Sequence, residues 1–98
     1  MAKVRTSYKL TSSTQIRKGS GILTRVSVRT DGSHNATIKL YDTDASGSAA
    51  DANMIDEITV LAANYYGGYS WSNPVGFADG LYVAVSGTGA AFSVEYKK

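Results

Sequence analysis

The sequence predicts an all-β fold: an antiparallel β-sandwich, jelly-roll-like, of six to eight short strands. Three observations predict it. Apolar and polar residues alternate with a period of two in several separate runs. Turn signals rich in Gly, Asp, Asn and Ser separate those runs, about every 8–12 residues. Helical periodicity is weak, and its best window, Ser48 to Ala63, is interrupted by Asn53, Asp56 and Thr59.

Taken in order, Val4 to Leu10 is a first extended run. Ile22 to Thr30 alternates most clearly, with Ile22, Thr24, Val26 and Val28 on one face and Leu23, Arg25, Ser27 and Arg29 on the other. Asp31-Gly32-Ser33 turns the chain, which returns as Ala36, Ile38 and Leu40 against Thr37, Lys39 and Tyr41; this pair reads as a hairpin. Asp42 to Asn53 is a small-residue surface loop. Met54 to Ala62 is a strand burying Ile58 and Val60. Asn64 to Asn73 reads as a loop dense in Tyr and Gly, followed by a short extended piece, Pro74 to Phe77. Gly80 to Tyr96 reads as a closing hairpin about Ser86-Gly87-Thr88-Gly89, whose glycines supply the positive φ of a short turn. The expected core is Ile22, Val26, Val28, Ile38, Leu40, Ile58, Val60, Leu81, Val83, Val85, Phe92 and Val94.

At 98 residues the chain is expected to be one domain, 1–98, with residues 1–20 an N-terminal arm or an edge strand. No run of about 18 apolar residues is present, and the start of the chain turns polar at once. Synthesis in a cytoplasm and no membrane partner are therefore expected. Zero cysteines remove disulfides, thiolate catalysis and zinc–thiolate sites. The net charge of +2, carried by scattered cations, gives no case for a nucleic-acid partner, because counterion release needs clustered ones.

Chemistry-bearing patterns are few. Asp42-Thr-Asp44-Ala-Ser46-Gly47 matches the opening of a calcium loop, but the twelfth position is Asn53, not a bidentate glutamate. A hydrogen-bonded Asx-rich loop explains the same letters. His34 is the only histidine, and no nucleophile elbow accompanies it. Asp56 and Glu57 are neighbours, so in a strand they point to opposite faces. Asn35-Ala36-Thr37 is a formal glycosylation sequon in a strand. The expectation is a non-enzyme with no catalytic residues, no metal and no cofactor.

Tyr65-Tyr66-Gly67-Gly68-Tyr69-Ser70-Trp71 holds three of the seven tyrosines and the only tryptophan. Such rings combine apolar area with a polar tip, as interfaces and sugar platforms require. Three readings stand open: Trp71 plugging one end of the sandwich, a protein interface, or a glycan-stacking platform. The interface candidates are Tyr65, Tyr66, Tyr69 and Trp71, with Lys3, Arg5 and Tyr8 of the N-terminal run.

The run Asn73-Pro74, Phe77, Gly80-Leu81-Tyr82-Val83, Val85-Ser86-Gly87-Thr88 and then Phe92, Val94 and Tyr96 resembles a pattern of small structural proteins of tailed bacteriophages. Gly21-Ile22-Leu23 and Ala36-Thr37-Ile38-Lys39-Leu40-Tyr41-Asp42 extend the resemblance, which covers roughly Gly21 to Tyr96. It implies a compact β-sandwich mounted on the virion as a head decoration or cement protein, a head fibre, or a tail or neck component. It further implies non-enzymatic contacts with the major capsid protein or other virion subunits, and a homo-oligomer, with a trimer favoured. A small carbohydrate-binding sandwich using the aromatic segment is the alternative.

Overall fold

A computed structural model describes residues 4–98, the side chain of Ser72 excepted; Lys3 lies outside the described residues. Among the described residues eight strands form: β1 Arg5–Thr6, β2 Thr14–Lys18, β3 Gly21–Arg29, β4 Ala36–Tyr41, β5 Met54–Val60, β6 Tyr66–Phe77, β7 Gly80–Ser86 and β8 Ala91–Lys97. They make two antiparallel four-stranded sheets packed together, in the orders β1-β8-β3-β6 and β2-β7-β4-β5. Among the described residues the helical pieces are three single 3-10 turns, Ser46–Ser48, Asp51–Asn53 and Ala62–Asn64.

The connections depart from expectation. Only β4 and β5 are both consecutive and paired; every other connection carries the chain from one sheet to the other. The expected hairpins at Ile22–Tyr41 and Gly80–Tyr96 are therefore arches, each placing its two strands in different sheets. Gly87 and Gly89 turn the second arch with φ of 110° and 72°. A side chain at Gly89 would lie 2.6 Å from Asp31, so the two arch tips pack on each other.

The core lies between the sheets. Val26, Val28, Ile38, Leu40, Val60, Leu81, Val83, Phe92 and Val94 are buried as expected, and Ile58 and Val85 pack half-buried against them. Ile22 is the correction: it is 39% exposed, and Leu23 is fully buried in its place. Against β6 it is β6 that loops out, residues 71–74 standing opposite Thr24 alone, whereas against β8 the register of β3 itself shifts at Thr24. One extra residue reverses the alternation, so Leu23, Val26 and Val28 share the inner face. Thr24 Oγ1 donates to the Glu95 carbonyl, 3.0 Å away, and occupies the bulge.

One further expectation is corrected. The Asn64–Asn73 segment is mostly strand: Tyr66–Phe77 is β6, the free edge of the first sheet, paired with β3 alone. Of the two readings of the N-terminal run, arm or edge strand, the described residues take the second: Arg5–Thr6 pairs with β8 of the same chain and Leu10 bridges to Phe92. Residues 11–13 are then the crossover to β2, on the edge of the other sheet. Gln15 Nε2 ties β2 down by donating to the carbonyls of Arg17, Thr43 and Leu81.

Candidate functional site

The outer face of the first sheet carries a groove of ≈ 170 Å³ between Tyr8 and Tyr66. Register defines its floor. Ser27 of β3 lies between Ser93 of β8 and Gly68 of β6, and Arg29 between Ala91 and Tyr66, so these residues point away from the core. Thr6 and Lys9 complete the rim. The result is two aromatic walls, a hydroxyl-bearing floor and two cations.

Tyr8 reaches the groove because the edge strand is bulged. Ser7 N donates to Val94 O, and Leu10 and Phe92 exchange backbone hydrogen bonds. Between those contacts the N-terminal segment has two residues, Tyr8 and Lys9, against Ser93 alone on β8. The extra residue re-aims the side chain. Tyr8 takes a left-handed φ of 57° and leaves its ring 76% exposed. Local bonds hold this conformation: Tyr8 N donates to Thr6 Oγ1 at 3.0 Å, and Ser7 Oγ donates to Tyr8 O at 2.8 Å.

Tyr66 is held from below, with Arg29 Cζ 4.9 Å from its ring centroid. The glycines that follow serve close approach. A Cβ at Gly67 would run into Val60 of the opposite sheet, and one at Gly68 into the carbonyl oxygen of Val26. The bare Gly68 also leaves a second shallow depression of ≈ 290 Å³ along β6 from Tyr66 to Ser70, floored by Arg25 and Ser27. Arg25 pairs with Glu95 at 4.0 Å on this exposed face.

The remaining aromatic candidates lie elsewhere. Tyr69 and Trp71 fall on the other side of β6 from Tyr66, edge to face at 5.0 Å, with Trp71 half-buried against the core and Tyr69 54% exposed. Tyr65 turns the chain into β6 with φ 60°, its carbonyl accepting from Thr30 N and its ring covering Gly32. Arg5 is exposed on the β1 edge. The structure thus brings Tyr8 and Tyr66 together and sets Tyr65, Tyr69, Trp71 and Arg5 apart from them. Lys9, Ser27, Arg29 and Ser93 are groove residues that sequence reasoning missed. Their signal, Arg29 opposite Tyr66, needs the strand pairing to be seen.

The metal-like pattern has another use. Asp42 accepts the backbone N–H groups of Ala78, Asp79 and Gly80 at 2.9–3.3 Å, and so anchors the β6–β7 turn. Burial pushes its pKa up, but the three N–H donors outweigh that and hold it below the usual carboxylate value. Asp44 and Ser46 are exposed. Among the described residues no three His, Cys, Asp or Glu side chains gather as a metal site would require. His34 Nδ1 lies 2.9 Å from Asp31 Oδ2, and this hydrogen bond, with backbone N–H donors from Ser33 and His34, lowers the Asp31 pKa to about 2. The sequon residue Asn35 accepts Ala62 N through Oδ1. Comparison of the chain with family models, curated proteins and solved structures returns no match.

Proposed function

We propose that this chain is a non-enzymatic structural protein of a tailed-bacteriophage particle, a capsid decoration or cement protein that binds neighbouring subunits of the major capsid protein. The Tyr8–Tyr66 groove carries this reading. Protein interfaces enrich large rings with polar tips. Tyr8 holds a costly backbone conformation while its ring stays in solvent, and such outliers gather at functional surfaces. In the same reading the two sheets form a jelly roll, an architecture used by viral capsid and lectin domains. The strand orders β1-β8-β3-β6 and β2-β7-β4-β5, with nearly every connection crossing between sheets, support it. The two carboxylates with lowered pKa, Asp31 and Asp42, are both engaged in turns, as suits a binding protein. The protein is made in the bacterial cytoplasm and works on the virion as a homo-oligomer, a trimer being favoured.

Quantitative mass spectrometry of purified virions tests this, and the chain should be present in many copies per particle. Particles assembled without it should take up the wild type and bind Tyr8→Ala/Tyr66→Ala weakly. Absence of the chain from particles would overturn the proposal, and association with tails alone would make it a tail or neck component. One observation favours a second reading: the groove sets tyrosine rings beside the Ser27 and Ser93 hydroxyls, an arrangement that suits a sugar. Saturable glycan binding lost in the same double variant would move the assignment to a carbohydrate-binding module.

A further inference from the structure

The charges of this chain are segregated. Residues 1–39 hold eight Lys and Arg and one acidic residue; residues 40–96 hold seven Asp and Glu and no Lys or Arg. The fold carries part of this into opposed flanks, with Asp44 an exception, since it lines a depression beside Lys18 of β2. In the second sheet, edge strand β2 carries Arg17 and Lys18, and the opposite edge, β5, carries Asp56 and Glu57, with Asp51 just before it. In the first sheet, edge β1 carries Arg5 and is followed by Lys9, whereas the opposite edge, β6, has no charged residue and exposes Tyr66 and Tyr69. Strand β6 touches β5 and β3 touches β4, so the two sheets run the same way across the molecule. The β1–β2 flank is therefore net basic and the β5–β6 flank net acidic and aromatic, with Lys39 and Arg29 the cations that lie against the second.

These charges do not cancel within one copy. Strands are spaced about 4.8 Å apart, so β2 and β5 lie roughly 14 Å from each other, beyond a Debye length of about 8 Å at physiological salt. Lys39 sits 3.7 Å from Glu57 and takes part of its charge, leaving Asp56 and Asp51. Arg17 Nε donates to the Ser20 carbonyl, and Lys18 is exposed. Charge on an open edge ordinarily keeps copies apart, because like meets like. Opposite signs on opposite edges do the reverse.

We infer that copies of this chain associate head to tail, the β1–β2 flank of one against the β5–β6 flank of the next. Strand β2 lies along the neighbour's β5 edge, where Asp56 Oδ1 accepts the Glu57 N–H, with Arg17 and Lys18 facing Asp56 and Glu57. Arg5 meets the neighbour's exposed Tyr69 ring. Such a contact is heterologous, and it closes into a ring when its rotation allows. This deepens the oligomeric part of the function proposed above and rests on it only there.

Sedimentation velocity on the full chain tests the contact. At about 50 mM salt the chain should form oligomers that weaken at least ten-fold at about 500 mM, as screened charge pairs must. Arg17→Glu/Lys18→Glu and Asp56→Lys/Glu57→Lys should each weaken association roughly 100-fold, through like charges facing each other. Mixing the two variants should restore association between unlike copies, because each then offers the flank that the other needs, although a ring of three cannot close on alternating variants. Far-UV circular dichroism checks their folding, and Arg17→Gln/Lys18→Gln and Asp56→Asn/Glu57→Gln should act in the same direction. A monomer at all concentrations, association indifferent to salt, or a mixture that stays dissociated would overturn the contact. A chain that decorates particles yet stays monomeric sinks this inference alone; one that associates this way but is absent from particles sinks the virion reading alone.

Discussion

Arg29 and Tyr66 are register partners on adjacent strands, and the guanidinium carbon lies 4.9 Å from the ring centroid. This cation–π contact fixes one wall of the groove, and at an exposed site it contributes about 0.5–1 kcal/mol. A double-mutant cycle of Arg29→Ala and Tyr66→Ala should return a coupling of that size in urea unfolding. Tyr8→Ala should change stability by less than about 0.5 kcal/mol, as an exposed substitution does. Its effect should fall on binding to particles. A large loss of stability in Tyr8→Ala would mean that the ring serves the fold and not the groove.

The bulge at Thr24 makes a sharp prediction about two neighbouring residues. Leu23 is fully buried and Ile22 is 39% exposed. Leu23→Ala should destabilise the protein by about 2–5 kcal/mol, the range for deleting a buried leucine. Ile22→Ala should cost well under that, and Ile22→Asp should still fold. Val83→Asp, which places an unpaired charge in the core, should not fold. Thermal melts of the four variants check the phase of β3 directly; equal losses at Ile22 and Leu23 would contradict the bulge.

Much of the core was legible because alternation reports which side chains face inward. Val26, Val28, Ile38, Leu40, Leu81, Val83, Phe92 and Val94 follow it without exception. Alternation carries no label for the sheet a strand joins. A hairpin folds two strands side by side, and an arch sets them face to face across the core; Leu81–Val85 and Phe92–Tyr96 give the same pattern either way. A bulge is equally silent, since one extra residue at Thr24 moves Ile22 outward while leaving its letters unchanged. Strand β6 was hidden because Gly67 and Gly68 resemble loop residues. They are present so that the edge can lie close to Val60 and to the β3 backbone. The groove follows from pairings between strands far apart in sequence, so only its Tyr8 and Tyr66 walls were among the expected residues.

Asp42 is predicted to act through the turn it holds and not through a metal. Its carboxylate accepts N–H groups from three successive residues, Ala78, Asp79 and Gly80. Asp42→Ala should destabilise the fold by about 1–3 kcal/mol, the usual cost of removing the acceptor from such donors. Millimolar calcium should leave the wild-type melting temperature unchanged, because a ligand of the native state must raise it. A calcium-dependent rise that disappears in Asp44→Ala would restore the metal reading of the Asp42–Gly47 segment.

The acid limb of stability should trace to Asp31 and Asp42. Hydrogen bonding from His34, then the backbone N–H of Ser33, lowers the Asp31 pKa to about 2, against an unfolded value of about 3.9. A carboxylate whose folded pKa is depressed contributes stability that is complete above the unfolded pKa. It is lost as pH falls through the folded one. Denaturant unfolding should therefore show stability falling from about pH 4 toward pH 2, with Asp42 acting in the same direction. Asp31→Asn removes the titrating group, and His34→Ala removes the largest cause of its shift. Both should lower stability at pH 7 and flatten the slope between pH 4 and pH 2. An unchanged slope in both variants would show that the Asp31–His34 contact does not form in solution.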